Sequence, residues 1–431
     1  MTPLALTGSA IALAVAERSS RRMLLRLRGP CGNPSSKLDE RDGALVRDQE
    51  DLAAARSRGF KTAVFFEDRL LSFQGEGFDN VVRLGSRFGH LGDGDVIGLE
   101  PGSGRLRVLY RRASKHNAFL VTERCNHYCL MCSQPPRKVE DGWILDEISD
   151  CIGLIDPATK TIGFTGGEPL LEWQRFIAVL QAMRDRLPET TVHVLTNGRA
   201  FAADEVASAW AAVGHKRLMA GIPIYSAVDA VHDYVVQARG AFDETVLGVL
   251  RLKDKGQRVE VRVVLHAVTA PRLRETCTWL ARNLPFVDHV ALMGLENTGF
   301  ALANQDLLWI DPLDYRADLI DGVGLLRAAG VNVSIYNLPL CLLDRSVWDV
   351  AVQSISDWKN GYLPECDGCG ARPRCAGFFS TGRPKMSRGI KPIPDPDAMQ
   401  SIARTNGEAR GDGVASTTLA NSTSKPSGRV D

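Results

Sequence analysis

Residues 117–136 read NAFLVTERCNHYCLMCSQPP, and this stretch decides how the rest of the chain is parsed. Asn117 to Glu123 is a short apolar run of the strand type. It opens directly into a loop that carries Cys125, Cys129 and Cys132 in a C-x3-C-x2-C spacing. Three thiolates from one loop can ligate three irons of a 4Fe–4S cube and leave the fourth iron without a protein ligand. Structural iron–sulfur and zinc sites normally take four ligands from the chain. A vacant iron can chelate the amino and carboxylate groups of S-adenosylmethionine (SAM) and set its sulfonium against an electron donor. The competing possibility is a zinc loop or three unrelated core cysteines.

Working outward, strand-like runs alternate with helical ones. TIGFTGG (161–167), TVHVLTNG (191–198), RLMAGIPIYS (217–226), VEVRVVLH (259–266) and DHVALMGLE (288–296) join NAFLVTE as six strand candidates. Between them, Leu145, Ile148, Ile152 and Ile155 fall on one helical face, Leu171 to Arg186 forms a helix, and Phe242, Val246, Val249 and Leu250 form another stripe. Repeated β–α units predict a parallel sheet with helices outside. Six units predict an α/β core closed as a partial (β/α)6, TIM-like barrel over residues 116–338. In such a barrel the site lies where the strands end.

Residues 1–115 are expected to be a small β-rich region, with a poorly ordered insert over about 18–58 that is charged and interrupted by Gly and Pro. The apolar stretch Pro3 to Val15 is too short to span a bilayer, and its basic residues Arg18, Arg21 and Arg22 follow rather than precede it. No export and a cytoplasmic location are therefore expected. The chain has 52 basic and 51 acidic residues, a net charge of +1, so nothing in its charge favours nucleic acid or an anionic membrane. Neither partner is expected. After about Gly382 the sequence turns to Ser, Thr, Pro, Gly and charge, and 382–431 is expected to be a disordered tail.

Ten cysteines occur, and seven fall into two sets, which argues for metal rather than disulfides. The second set is Cys341 with Cys366, Cys369 and Cys375 of CDGCGARPRC, in a module spanning 339–381. Four thiolates suit either a second 4Fe–4S cluster or a structural zinc. Cys151 and Cys277 are expected to be buried thiols, and Cys31 has no evident partner. His127 is expected to face solvent or cap the loop, and His232 to pack or cap.

The C-x3-C-x2-C loop together with GFTGGEPLL (163–171) resembles the radical SAM superfamily. The position before the third cysteine, usually aromatic there, is Met131. The resemblance implies a SAM-binding 4Fe–4S cluster on Cys125, Cys129 and Cys132, with Gly166, Gly167, Glu168 and Pro169 as the turn that binds the methionyl amine. It further implies SAM contacts at Asn197 and Ser226, with Arg262 and the turn Gly294–Gly299 in comparable places. Position beyond the barrel makes the second set similar to an auxiliary 4Fe–4S cluster of a twitch- or SPASM-like module.

LYRRASKHNAFLVTERCNHYCLMCSQPP (109–136), the GGEP turn, YSAVDAVHDYVVQARGAFD (225–243) and the last cysteines resemble the His-Xaa-Ser system radical SAM maturase, C-type, over about residues 90–381. That resemblance implies a small precursor peptide with His-Xaa-Ser repeats, a companion radical SAM maturase, and a low-potential electron donor such as flavodoxin or ferredoxin. Two alternatives stand beside it. One is a radical SAM enzyme acting on a small molecule or RNA, and the other is a non-catalytic iron–sulfur or zinc scaffold.

Overall fold

The computed structural model describes residues 6–15, 22–32, 37–66, 77–353, 361–379 and 385–394. The first eight strands are β1 (Thr7–Ser9), β2 (Ala12–Val15), β3 (Met23–Arg28), β4 (Asp42–Val46), β5 (Thr62–Phe66), β6 (Asn80–Leu84), β7 (Val96–Glu100) and β8 (Arg105–Tyr110), with helix α1 at Gln49–Ser57. They form one mixed sheet in the order β1-β8-β7-β3-β4-β5-β6-β2. Its two outermost strands are separated in sequence only by Ala10 and Ile11, whose N–H groups donate to Gly104 and Arg83 at opposite edges. A single bent stretch of chain thus draws both edges together, which removes unpaired strand edges. Leu25, Leu27, Val64, Phe66, Val82, Ile97 and Leu99 fill the inside, while Ala44, Val46, Phe60 and Phe65 pack with Leu52 and Ala55 of α1. Of the stretch 18–58, expected to be poorly ordered, residues 18–21 and 33–36 lie outside the described residues, and the rest contributes β3, β4 and α1. Several of its charged residues bond within the fold, as Arg26 does with the buried Asp42 at 2.7 Å, while Lys37, Glu40, Asp48 and Glu50 stay exposed.

The second sheet is fully parallel, in the sequential order β15-β14-β13-β12-β11-β10-β9. Its strands are β9 (Asn117–Leu120), β10 (Thr161–Thr165), β11 (Thr191–Leu195), β12 (Leu218–Pro223), β13 (Arg258–Leu265), β14 (His289–Gly294) and β15 (Val333–Tyr336). All six expected strands form, and β15 adds a seventh. Val331, Val333 and Ile335 alternate with polar positions there, but the strand itself is only four residues long. The crossovers hold helices α2 (Trp143–Ile152), α3 (Trp173–Arg186), α4 (Asp204–Ala212), α5 (Asp229–Val236), α6 (Ala241–Asp254), α7 (Leu273–Asn283), the short α8 (Phe300–Ala303) and α9 (Gln305–Leu308), and α10 (Arg316–Ala328).

The period-two pattern of each strand explains both faces of this sheet. Val192, Val194, Val259, Val261, Val263, Val290 and Leu292 are buried in the core shared with the helices. Leu145, Ile148, Ile152 and Ile155 are buried there too, as their spacing implied. On α6, Leu250 points outward at 42% exposure, and Thr245, Gly248, Val249 and Leu252 face in. A Cβ at Gly248 would lie 2.3 Å from the Gly198 carbonyl, so helix and strand exit touch backbone to backbone. The opposite face is different. Thr165, His193, Leu195, Met219, Arg262, Val264, Met293, Ser334 and Tyr336 are each only half-buried, and they line a trough that solvent reaches.

Beyond β15, short 3-10 turns at Leu340–Leu342, Pro364–Cys366 and Arg372–Arg374 carry the second cysteine set. Within the expected disordered tail, residues 385–394 pack back onto the fold. Ser387 and Arg388 bond to the buried Asp311, and Ile393 is 9% exposed. Residues 395–431 lie outside the described residues. No helix among the described residues is long and apolar enough to cross a membrane.

Candidate functional site

The cysteine loop leaves the C-terminal end of β9 and is held from three sides. Val121 donates to Thr165 at 2.8 Å, Gly167 to Thr122 at 2.7 Å and Glu168 to Arg124 at 2.8 Å, which ties the loop to the exit of β10. Tyr128 and Leu130 donate to Val236 and Val235 at the end of α5, and Phe300 donates to Cys132. The buried Asp141 carboxylate accepts from Thr122 Oγ1, the Glu123 N–H and Arg124 Nε at 2.9, 2.6 and 2.9 Å. Asp141 was not singled out in the sequence, since a lone Asp before a helix looks like any turn residue.

Cys125, Cys129 and Cys132 are half-buried free thiols. Burial pushes Cys125 up to about 12 and also raises Cys129 and Cys132, and the charge of neighbouring thiolates raises Cys125 and Cys129 further. Such thiols ionise only beside a strong compensating cation, which is what an iron centre supplies. The His127 N–H donates to Cys125 Sγ at 3.4 Å. Among the described residues, no three His, Cys, Asp or Glu side chains are grouped around one ion position. The donor chemistry of this loop fits the cube. Met131 is buried with Tyr225 and Val235 beneath it. An open depression of about 390 Å³ beside Cys125 is lined by Arg124, Tyr128, Arg137, Lys138 and Glu140.

The two glycines of GGEP lie directly against the cysteine loop. Gly166 sits at φ +125°, where a Cβ would lie 2.6 Å from the Thr122 carbonyl, and a Cβ at Gly167 would lie 1.8 Å from that of Arg124. Their bareness lets the β10 exit lie directly on the cysteine loop. Glu168 is 2% exposed and accepts from Thr196 Oγ1 (2.6 Å), the Asn197 N–H (2.6 Å) and the Leu170 N–H (2.9 Å). Burial raises its carboxyl above the usual range, against the pull of these three bonds. It therefore clips the exits of β10 and β11 together, and the buried Pro169 starts the next turn.

Asn197 Nδ2 donates to Asn126 Oδ1 in the cysteine loop at 2.6 Å. Thr196 and Asn126 are thus part of the same mouth, although neither was singled out in the sequence. Ser226 is fully buried and accepts from the Val228 N–H at 3.0 Å, a turn-capping role. Arg262 bonds Glu260 at 2.7 Å and Met293 Sδ at 3.0 Å. Gly299, at φ +56°, packs on the Cys132 and Ser133 carbonyls. His127 is 2% exposed rather than solvent-facing, and burial pushes it down to about 3. His232 is buried, accepts from the Tyr225 N–H and stacks on the Tyr225 ring. Cys151 and Cys277 are fully buried, and Cys31 is exposed beside Asp51.

In the second set, Leu340 and Gly377 donate N–H bonds to Cys375 Sγ at 3.4 Å, and Ile393 donates to Cys369 Sγ at 3.3 Å. Burial raises the Cys341 and Cys375 thiols. Backbone N–H donors to sulfur favour the thiolate form, as a metal-bound site of either kind requires.

Residues 119–280 match the model of the Radical SAM superfamily, so the chain carries a radical SAM domain. No curated protein matches the chain. Among solved structures it is similar to Streptococcus suis SuiB bound to S-adenosylmethionine, at 14% identity, covering 51% of this chain and 49% of that one, with TM-score 0.41. Native anSMEcpe with bound AdoMet is similar at 13% identity over 68% of this chain and 98% of that one, with TM-score 0.45. A radical SAM methyltransferase from Sphaerobacter thermophilus is similar at 14% identity over 56% and 72%, with TM-score 0.39. The chain thus spans about half the length of SuiB.

Proposed function

We propose that this chain is a radical SAM peptide maturase, acting on a small ribosomally made precursor of the His-Xaa-Ser type. The observation that carries the first part is the direct backbone stitching of the C-x3-C-x2-C loop to the GGEP turn at the mouth of a parallel barrel. A 4Fe–4S cluster on Cys125, Cys129 and Cys132 would supply, when bound, the electron that cleaves SAM and so starts radical chemistry.

This chain's residues do the rest by position. An ionised carboxylate has about four acceptor places, and three on Glu168 are filled from within the chain. The fourth is free to accept from the SAM ammonium. Asn197, just past β11, flanks the same mouth as a further polar contact, and Ser226, past the end of β12, is the second polar contact of this reading once its turn opens toward the ligand. The trough below receives the peptide residue to be modified. Cys341, Cys366, Cys369 and Cys375 hold an auxiliary 4Fe–4S cluster in this reading, with structural zinc as the alternative.

The substrate class rests on the resemblance of residues 90–381 described above. A companion maturase and a low-potential flavodoxin or ferredoxin are its expected partners. SuiB is also seen with a bound precursor peptide. Reconstituted protein with dithionite should convert SAM to 5′-deoxyadenosine, and the triple variant Cys125→Ala, Cys129→Ala, Cys132→Ala should not. Retained cleavage in that variant would remove the cluster assignment. Co-production with a neighbouring His-x-Ser peptide should change the peptide's mass. An unaltered peptide beside active SAM cleavage would redirect the substrate to a small molecule or RNA.

A further inference from the structure

The trough has a second polar centre, at the end away from the cysteine loop. Glu260 on β13, His289 on β14 and Ser334 on β15 stand side by side across three adjacent strands, with Glu260 and His289 direct register partners. His289 Nδ1 lies 2.8 Å from Glu260 Oε2, and His289 Nε2 lies 2.9 Å from Ser334 Oγ. An ionised carboxylate only accepts, so Nδ1 carries the hydrogen. In the neutral imidazole Nε2 is then the acceptor, and the Ser334 hydroxyl donates to it. The Glu260 carboxylate is anchored on its other oxygen by Arg262 at 2.7 Å, with His193 Nε2 at 3.3 Å. Burial pushes this carboxyl upward, but the bonds from His193 and His289 and the Arg262 charge hold it well below the usual range. It is therefore ionised throughout the physiological range. The Tyr336 ring stands edge-on to His289 at 6.4 Å, and its side chain bonds to Ser334.

A hydroxyl bonded to an imidazole, itself oriented by a carboxylate, is the geometry of an activated nucleophile. A merely structural polar core would be sealed from solvent, whereas Ser334, His289 and Tyr336 are all half-buried on the wall of the trough. We propose that Ser334, His289 and Glu260 form a nucleophilic triad that acts on the carbonyl of an ester or thioester admitted to the trough. Ser334 Oγ bonds to the carbonyl carbon as its proton passes to His289 Nε2, and Glu260 balances the imidazolium. The Tyr336 hydroxyl donates to the oxyanion. The acyl–oxygen or acyl–sulfur bond then breaks, and the leaving group departs with the proton from His289. Water, deprotonated in turn by His289, releases the acid and restores Ser334.

This activity needs neither iron nor SAM, so it is tested on apo protein and stands or falls apart from the radical reading. A fluorophosphonate should phosphonylate Ser334, with the Oγ–P bond formed and fluoride lost, and peptide mass spectrometry should locate the adduct. Ser334→Ala, which removes only one oxygen, should abolish labelling. His289→Ala should slow it by roughly 10²–10⁴, the usual worth of a general base, and Tyr336→Phe should slow it less. If His289→Ala fails to fold, Glu260→Gln carries the same test, with circular dichroism as the check on folding. A folded wild-type protein that leaves Ser334 unlabelled overturns the proposal. Labelling that persists in Ser334→Ala, or at wild-type rate in a folded His289 or Glu260 variant, overturns it equally.

Discussion

Replacing Glu168 by Ala would remove the acceptor for three buried donors at once: the Thr196 hydroxyl and the Asn197 and Leu170 N–H groups. Each buried donor left unpaired costs about 1–3 kcal/mol. Water entering the vacated space recovers part of that, because such a site is polar on three sides. The expected loss is therefore about 3 kcal/mol or more, a large fraction of the 5–15 kcal/mol typical of a folded domain. Glu168→Gln keeps Oε1, which serves Thr196 and Leu170, and turns an NH₂ toward only the Asn197 N–H. Its loss should stay within about 1–3 kcal/mol. Urea unfolding of apo protein measures both without iron or SAM. An Ala variant within about 0.5 kcal/mol of wild type would refute the reasoning, and so would a Gln variant as unstable as Ala. In the folded Gln variant, SAM affinity should also fall ten- to a hundredfold, the worth of a hydrogen bond to a charged group of about 1.5–3 kcal/mol, with iron content unchanged.

Gly167→Ala should displace the cysteine loop, since the new Cβ would meet the Arg124 carbonyl at 1.8 Å. Its iron-to-protein ratio after reconstitution should drop, and normal loading would show that the contact is not limiting. Burial holds His232 and His266 down to about 4, so between the unfolded value near 6.5 and about 4 the folded state binds fewer protons than the unfolded one. The stability these residues confer above about pH 6.5, up to about 3 kcal/mol each, should be lost as pH falls through 4. A urea midpoint that does not decline from pH 7 to pH 5 would contradict this. Fully reconstituted protein should hold roughly eight irons, two cubes of four, and Cys366→Ala with Cys369→Ala should leave about four and spare SAM cleavage. One zinc per chain at the second set would make that site structural instead.

Much of the chain's organisation is legible in its sequence. Strand periodicity and close cysteine spacing are local properties, and both follow from covalent geometry acting over a few residues. Hence the six strands and the helical face of Leu145 to Ile155 could be read directly. So could the placement of Cys125, Cys129 and Cys132 at a strand end. Charge and glycine content in residues 18–58 misled, because ion pairs such as Arg26 with Asp42 form between residues 16 apart, and local composition is blind to such partners. The return of residues 385–394 onto Asp311 and Cys369 was hidden for the same reason.

Roles at the mouth show the division most clearly. Residue types alone singled out Glu168, Gly166 and Gly167, and only the tertiary structure set them to join two strand exits. Asp141, Thr196 and Asn126 gained their roles from partners up to 71 positions away. The Glu260–His289–Ser334 centre existed in the sequence only as three polar residues at inward positions of separate strands. Parallel pairing of β13, β14 and β15 brought them within hydrogen-bonding distance, and no spacing along the chain encodes a contact made across a sheet.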